Sequence, residues 1–387
     1  MLKVVARGFP DSEFEARCAR AQAMMAEADI AALLLTTEPE LRYFSGFLTQ
    51  FWQSPTRPWF MVVPRAGKPI AVIPEIGAEC MSRTWLDDIR TWPSPALQDD
   101  GVSLLIAAVR EAVGDGNAFG VAMGPETHLR MPLLDFEQVT RALALEIADA
   151  TPIFRQLRMV KSEAEIEKIA HICGIVSDVF EAMPNWLAAG MPVSEVFQRF
   201  KIDALERGAD DVSYLVGGAG PGGYGDIISP PTDTPLAEGD ILILDTGSVF
   251  DGYFSDFDRN FAIGRADDAS RRAYATVFAA TEAGLDAAQP GNTAADLFRA
   301  MNAVMEADGA LGNDVGRLGH GLGMQLTEWP SNTAWDETPL VPGMVMTLEP
   351  GMTYAPGKVM VHEENLVIRE DGPQLLSRRA AAELPVV

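Results

Sequence analysis

The stretch Ile241–Phe261, ILILDTGSVFDGYFSDFDRNF, places two aspartates among apolar residues in a pattern that predicts a β-hairpin. An apolar strand is expected to end at Asp245, and Gly247 is expected to allow a turn. A second strand from Gly252 then returns with Asp256. The two carboxylates are therefore expected to face each other across the hairpin.

Three later segments each offer one more metal-binding side chain: His320 in GHGLGMQLTEWP, Glu349 in VMTLEPGM and Glu363 in VMVHEENLVI. Carboxylate and imidazole groups bind divalent cations such as Mn²⁺, Co²⁺, Zn²⁺ and Fe²⁺, and four carboxylates can bridge two cations about 3.5–4 Å apart. Such carboxylates would repel one another without positive charge between them. The ordered set predicts a site for two divalent metal ions, formed by Asp245, Asp256, His320, Glu349 and Glu363.

At these motifs the chain resembles the pita-bread metallohydrolases, peptidase family M24, which include methionine aminopeptidase, aminopeptidase P, prolidase and creatinase. The resemblance covers nearly the whole chain and rests on its Asp-x-Gly, Asp-x-x-Arg, His-Gly-x-Gly, Glu-Pro-Gly and late Glu motifs. It implies a creatinase-type α/β N-terminal domain, expected at residues 1–155, and an α+β pita-bread catalytic domain, expected at residues 156–387. It also implies that Glu349 shuttles protons and that Glu363 bridges the ions.

The same resemblance implies hydrolysis of a C–N bond, with Xaa-Pro peptides as the nearest familiar substrates. A water held between the two ions attacks the carbonyl, and Glu349 and His320 are the expected catalytic residues. A homodimer is expected on the same grounds. An adaptor that binds without catalysis is disfavoured because the ligand set is complete.

Peptidases of this family usually carry two further histidines in the active-site cleft, one before the first aspartate and one seven residues after the ligand histidine. This chain has no histidine between His171 and His320, and Thr327 stands at the second of these positions. Losing one such hydrogen-bond donor typically lowers a rate ~10²–10³-fold. The alternative is therefore a small-metabolite enzyme of the same fold, similar to ectoine hydrolase or dimethylsulfoniopropionate lyase. Asp258 stands where the family usually has Thr; it is expected to pair with Arg259 or to orient a ligand, or else to favour a cationic substrate.

Several residues are candidates to contact the substrate. Four of them are expected to line the pocket: Tyr224, Thr327, Trp329 and Tyr354. The loop FWQSPTRPW, Phe51–Trp59, adds Trp52 and Arg57. This loop is expected either to pack within its domain or at a dimer contact, or to reach a neighbouring active site where Arg57 binds a substrate carboxylate.

Composition excludes other classes of protein. The net charge of −25 argues against binding nucleic acid or an anionic membrane. Three widely spaced cysteines predict neither a disulfide framework nor a thiolate zinc site. With no signal-peptide or membrane-spanning pattern, a cytoplasmic protein is expected. The glycines of Gly217–Gly225 lack the Lys-Ser/Thr of a phosphate loop, so we expect a strand followed by a loop along the cleft.

Overall fold

The computed structural model describes residues 5–54, 57–312 and 316–387. The chain divides into two compact units, one formed by Ala6–Arg158 and the other built mainly from Met159–Val387. No helix in the described ranges is long and apolar enough to cross a membrane.

The N-terminal unit is built on a six-stranded mixed sheet with the order β4-β3-β2-β1-β5-β6. Its strands are β1 (Ala32–Leu35), β2 (Phe60–Pro64), β3 (Ile70–Pro74), β4 (Asp88–Trp92), β5 (Ala118–Val121) and β6 (Glu146–Asp149). β1 pairs antiparallel with β2 and parallel with β5. All four residues of β1 are buried, which explains its continuous apolar sequence, because a central strand covered on both faces has no polar side.

Helices cover this sheet with their apolar faces. They are α1 (Asp11–Glu27), α2 (Glu38–Ser45), α3 (Ala78–Met81), α4 (Val102–Val113), α5 (Leu133–Leu143) and α6 (Thr151–Met159). In α1 the buried positions include Phe14, Cys18, Ala21 and Met25, the helical spacing visible in the sequence. The α2 helix begins with a capping box formed by Thr37.

Within the described ranges, the strands of the C-terminal unit form three sheets, with the orders β10-β8-β7 (with β9 beside β8), β12-β11-β13-β16-β17 and β14-β15. The strands are β7 (Asp211–Pro221), β8 (Asp240–Phe250), β9 (Tyr253–Phe254), β10 (Phe257–Ala262), β11 (His320–Gly321), β12 (Glu328–Ser331), β13 (Val345–Leu348), β14 (Gly351–Ala355), β15 (Lys358–Val361), β16 (Glu364–Arg369) and β17 (Gly372–Leu375). The pairs that bear on the site, β7–β8, β8–β10, β11–β13 and β13–β16, are all antiparallel.

Among the described residues, the C-terminal unit has the α-helices α7 (Glu163–Ala182), α8 (Val193–Glu206), α9 (Asp268–Ala287) and α10 (Ala294–Ala307). Helix α7 begins with a capping box at Ser162, a pattern readable from Ser162 and Glu165 in the sequence: the Ser162 side chain accepts a hydrogen bond from Glu165 N–H, and the Glu165 carboxylate accepts one from Ser162 N–H. Helix α9 packs its apolar face into the same core as β13 and β14, where Val277, Leu348 and Met352 are buried together.

The structure corrects three details of the predicted hairpin. Asp245 was expected to face Asp256 across the hairpin, but its register partner is Asp258. Strand β8 continues through Gly247 to Phe250, so Asp245 lies in the middle of a strand rather than at its end. Gly247 lies within the strand and not in a turn, and a Cβ there would lie 2.2 Å from Leu326 Cδ1, so glycine lets the Leu326 side chain pack closely against β8. Asp251 and Gly252, both with positive φ, make the turn instead.

The predicted glycine loop also begins later than expected. Gly217 to Gly220 lie inside β7, paired with Leu244 to Ile241 of β8. At Gly217 a Cβ would lie 2.1 Å from the backbone oxygen of Ile243. Glycine therefore serves a close approach of two strands at this position.

Candidate metal centre

Three of the five predicted ligands come together directly. Asp256, His320 and Glu363 each offer one ligand atom, and these atoms all lie within 4.8 Å of one another. His320 Nε2 lies 3.3 Å from Asp256 Oδ2, and His320 Nδ1 lies 2.9 Å from the backbone oxygen of Gly321. A proton on Nδ1 satisfies that carbonyl, which leaves the Nε2 lone pair directed at the carboxylates.

The other two predicted ligands, Asp245 and Glu349, border this buried group. Unlike Asp256, His320 and Glu363, they are partly exposed. Asp245 projects from the middle of β8, and Glu349 directly follows β13, where its N–H donates to Leu318 O at 3.1 Å. They are therefore the members of the set that a substrate arriving from solvent meets first.

Burial and mutual repulsion raise the pKa of the carboxyl groups. Desolvation is the largest cause for Asp245, Asp256, Glu349 and Glu363 alike. The pKa of Glu349 rises to about 7, with Asp256 raising it further while His320 and Arg317 oppose the shift. The neighbouring carboxylates Asp256 and Glu349 add to the rise at Asp245.

This arrangement fits divalent cations. Asp245 Oδ1 and Glu363 Oε1 are buried oxygens that find no hydrogen-bond partner among the residues that the structure describes. An unpaired buried carboxylate oxygen is costly, and a cation removes that cost. The donor set of carboxylate oxygens with one imidazole nitrogen also matches the ligands that such ions prefer.

Two residues, Asn365 and Arg259, hold the backbone of the ligands in place, and the sequence analysis did not single out Asn365. Asn365 accepts a hydrogen bond from Asp256 N–H at 2.9 Å, and its own amide donates to the Asp256 carbonyl. Arg259 Nη1 donates to the backbone oxygen of Glu363 at 2.9 Å. Arg259 was visible as part of the Asp-x-x-Arg motif, whereas Asn365 carried no signal except its position two residues after Glu363.

Asp258 interacts with Arg259 through charge but not through a hydrogen bond: burial and Asp245 raise the pKa of Asp258, and the Arg259 charge opposes that rise. Arg259 Nη1 donates to the backbone oxygen of Asp258, and its Nη2 donates to the Glu364 carboxylate at 3.0 Å. Both carboxylate oxygens of Asp258 are buried with no hydrogen-bond partner within the described ranges, so no hydrogen bond to a ligand is present either.

Arg317 is a further residue that the sequence analysis missed. Its Nη2 donates to Thr327 Oγ1 at 3.2 Å, and the next residue, Leu318, accepts the Glu349 N–H. Burial raises the pKa of Asp256 and Glu349, and the Arg317 guanidinium charge opposes that rise. The only sequence signal for Arg317 was a basic residue three positions before His320. The two hydrogen bonds place Arg317 and Thr327 at one side of the metal-binding group.

The remaining candidates in this unit differ in their surroundings. Tyr224 is buried, and its hydroxyl donates to Asn260 Oδ1 at 2.8 Å and accepts from Val361 N–H, so it is a core residue in this structure. The Tyr354 hydroxyl donates to the backbone oxygen of Gly222. Trp329 is partly exposed, next to Thr327 in the β11–β12 hairpin.

Trp52 and Arg57 belong to the N-terminal unit and make their contacts within it. The Trp52 ring packs against Trp59 with centroids 5.7 Å apart, and the Arg57 guanidinium lies over the Phe51 ring at 5.3 Å. Arg130 donates to the backbone oxygens of Trp52 and Arg57 at 2.8 and 2.9 Å. The loop is thus packed within its unit; its residues 55 and 56 lie outside the described ranges.

Comparison with known proteins agrees with this geometry. The sequence profile of metallopeptidase family M24 matches residues 167–370, and that of the creatinase/prolidase N-terminal domain matches residues 17–160. The probable dipeptidase PepE of Mycobacterium tuberculosis is 30% identical over 368 residues, covering 95% of each chain. The Xaa-Pro dipeptidase of Pyrococcus furiosus is 30% identical over 234 residues, 58% of this chain and 65% of that relative.

Solved structures show the same fold. The crystal structure of dipeptidase PepE from Mycobacterium ulcerans matches with a TM-score of 0.85 at 30% identity, covering 99% of this chain and 100% of that one. The prolidase of Thermococcus sibiricus matches with a TM-score of 0.86 at 22% identity, covering 98% and 100%. The predicted fold class, an α/β N-terminal domain with an α+β pita-bread domain, is confirmed.

Proposed function

The chain belongs to metallopeptidase family M24 and is a metal-dependent hydrolase, and from this premise we propose that it cleaves the C–N bond of dipeptides, including Xaa-Pro dipeptides. The relatives that match it carry the names dipeptidase and Xaa-Pro dipeptidase. The observation that carries the proposal is the convergence of Asp256, His320 and Glu363 within 4.8 Å, bordered by Asp245 and Glu349.

We assign metal binding to all five residues and propose two divalent cations per chain. Mn²⁺, Co²⁺, Zn²⁺ and Fe²⁺ all suit oxygen donors with one imidazole. The cations, when bound, lower the pKa of water and polarise a substrate carbonyl. The chain's own contribution is to fix the ligands through Asn365 and Arg259 and to present Asp245 and Glu349 toward solvent.

Glu349 is assigned the proton transfer. In the metal-free protein burial raises the pKa of Glu349 to about 7, so its carboxyl exchanges a proton near neutral pH in that state. In the proposed reaction a Glu349 oxygen accepts the proton of the attacking water and delivers it to the leaving nitrogen. Partial exposure of Glu349 gives the substrate access to this group.

Arg317 is assigned the hydrogen-bond donation that cleft histidines supply in similar peptidases. The chain has four histidines, at positions 128, 171, 320 and 362, and Thr327 occupies one of the two cleft positions. The Arg317–Thr327 hydrogen bond places a guanidinium on that side of the metal-binding group. A cationic donor aimed at the substrate carbonyl oxygen stabilises the charge that develops there in the transition state.

The proposal is tested by assaying the protein, loaded separately with Mn²⁺, Co²⁺ or Zn²⁺, against Ala-Pro, Gly-Pro and Ala-Ala. Release of free amino acids by at least one metal form is expected, and Asp256→Ala should abolish it. The same preparations are assayed against ectoine-type amides, betaines and sulfonium compounds. Turnover of such compounds with no dipeptide hydrolysis by any metal form would replace the peptidase with a small-metabolite enzyme.

We also propose a homodimer in the cytoplasm. The family resemblance supports the dimer, and size-exclusion chromatography with light scattering measures it. The three cysteines are free, and Cys18 and Cys173 are buried thiols, as in proteins of reducing compartments.

A further inference from the structure

Asp258 lies on the metal-facing side of its sheet. It is the register partner of Asp245 in the antiparallel pair of β10 and β8. Residues directly opposite each other in such a pair project to the same face, with Cβ atoms about 4.5–5.5 Å apart. Asp256 lies two residues before Asp258, so strand alternation directs it to that face as well. Three aspartates therefore share one side of this hairpin.

The Asp258 carboxylate is buried and not compensated by hydrogen bonds. Its residue is 1% exposed, and neither oxygen has a hydrogen-bond partner in the part of the chain that the structure describes. A buried carboxylate of this kind is unfavourable unless a positive charge or hydrogen-bond donors accompany it. The fold thus keeps a costly group at this position.

The adjacent cation does not supply the missing contact. Arg259 uses its N–H groups on the backbone oxygens of Asp258 and Glu363 and on the Glu364 carboxylate. Its position fixes the backbone of the strand that carries Asp258, while the Asp258 side chain points elsewhere. Arg259 therefore acts on the Asp258 carboxyl by its charge alone, without a hydrogen bond, and a cation bound between the strands would contact the carboxylate directly.

We propose that Asp258 is a sixth metal-binding residue of the centre and that its carboxylate binds a divalent cation directly. The inference rests on the proposed metal centre and not on the identity of the substrate. It is specific to this chain, because the threonine usual at this position in the resembling family cannot supply a carboxylate. A further anionic ligand raises the affinity of a site for hard cations.

The test uses Asp258→Asn and Asp258→Thr in full-length protein stripped of metal, titrated with Mn²⁺ in competition with a fluorescent chelator and without substrate. Both variants should bind Mn²⁺ at least tenfold more weakly at one site. Without metal, Asp258→Asn should unfold at the same or a higher temperature than the original protein, because it removes a buried acidic group that has no hydrogen-bond partner among the described residues. A residue needed only for packing would instead lower that temperature.

Asp240→Asn is the matched control. Asp240 lies on β8, is buried, and accepts a hydrogen bond from Ala237 N–H at 2.8 Å, so it has a partner of its own. The Asp240→Asn variant should leave Mn²⁺ affinity unchanged. In Co²⁺-loaded protein, the visible absorption bands should change in both Asp258 variants and not in Asp240→Asn. Unchanged Mn²⁺ affinity in both Asp258 variants, an equal loss in Asp240→Asn, or an unchanged Co²⁺ spectrum would overturn the inference.

A peptidase assay that fails leaves these results intact, because each is measured on metal binding alone. Conversely, normal dipeptide hydrolysis with unaltered metal affinity in both variants would uphold the proposed function and refute the role of Asp258.

Discussion

His320 Nε2 and Asp256 Oδ2 lie 3.3 Å apart at the buried centre of the metal-binding group. The second ring nitrogen of His320 faces the Gly321 carbonyl at 2.9 Å, so the imidazole is oriented by the backbone of the strand that carries it. The histidine and the aspartate arrive from different sheets. Their proximity therefore depends on the tertiary fold, and the free energy of bringing them together depends on their charges.

The first prediction concerns the stability of the metal-free protein. The pKa values of Asp245, Asp256, Glu349 and Glu363 are raised in the folded state. A carboxyl group whose pKa is higher in the folded state stabilises that state at pH values below its unfolded pKa. This stabilisation is lost as the pH rises through the folded pKa. Chelator-treated protein should therefore unfold at lower temperature as pH increases from about 5 to 8, measured by thermal denaturation.

Added Mn²⁺ or Zn²⁺ should restore stability, and the gain should be larger at pH 8 than at pH 6, because metal ligation requires deprotonated carboxylates. The matched variant Asp256→Asn should show a flatter pH dependence without metal. Two results together would contradict the buried carboxylate group: an unfolding temperature of the metal-free original protein that rises from pH 5 to 8, and no stabilisation by added metal.

The second prediction concerns Arg317. Replacement of Arg317 by Met should lower kcat for Ala-Pro by roughly 10²–10³-fold if it donates to the reacting carbonyl. Arg317→Lys should retain part of the activity, since it keeps the charge and loses the fork of donors. Arg299, an exposed residue of α10 paired with Asp296 and Glu337, gives the control variant Arg299→Met. Equal kcat in all three variants would remove Arg317 from the reaction.

The third prediction concerns the buried ion pair of Lys161 and Glu328. Lys161 Nζ lies 3.1 Å from Glu328 Oε2, and the side chains are 1% and 2% exposed. Lys161→Met leaves the Glu328 carboxylate buried without its counter-ion, which should cost about 3–5 kcal/mol in urea unfolding. The double variant Lys161→Met/Glu328→Leu should recover most of that loss. A loss under about 1 kcal/mol in the single variant would show that the pair is solvated.

The fourth prediction concerns His362, which the structure turns away from the metal-binding group. Its Nδ1 lies 2.9 Å from Thr281 Oγ1 and its Nε2 lies 2.9 Å from Arg379 Nη1. Arg379 can only donate, so Nε2 accepts and Nδ1 carries the proton. Burial lowers the pKa of His362 to about 3, with Glu364 opposing the shift.

The pH dependence of stability that His362 causes has the opposite sign to that caused by the carboxyl groups. Its stability contribution is complete above the unfolded pKa of 6.5 and is lost as pH falls toward about 3. The free energy of unfolding of the original protein should therefore fall more steeply than that of His362→Gln between pH 6.5 and 4.5. The extra slope is at most about 1.4 kcal/mol per pH unit. His128→Gln, at an exposed histidine, is the control; equal slopes in the original protein and His362→Gln would refute the prediction.

Much of this architecture was predictable from local patterns. The Ser162–Glu165 capping box, the helical period of α1 and the hairpin of β2 and β3 follow from interactions between residues near in sequence. The motifs around His320 and Glu349 also identified the resembling family. Local sequence was sufficient wherever the stabilising partner lies within a few residues.

The details that sequence could not provide depend on contacts between distant segments. Gly247 was interpreted as a turn because glycine is typical of turns, yet Leu326 packs against it from another strand pair. Asn365 holds the Asp256 backbone from a position 109 residues away. Asp258 is uncompensated only because the register of β8 and β10 sets it opposite Asp245. These contacts between distant residues are visible only in the three-dimensional structure.

The most direct test of the account is the metal content of purified protein measured together with Ala-Pro hydrolysis. The original protein and the control His128→Ala should bind about two divalent cations per chain and release proline. Asp256→Ala and His320→Ala should lose at least one cation and the activity, while remaining folded by circular dichroism. Unchanged metal content and turnover in both variants would contradict the proposed metal centre.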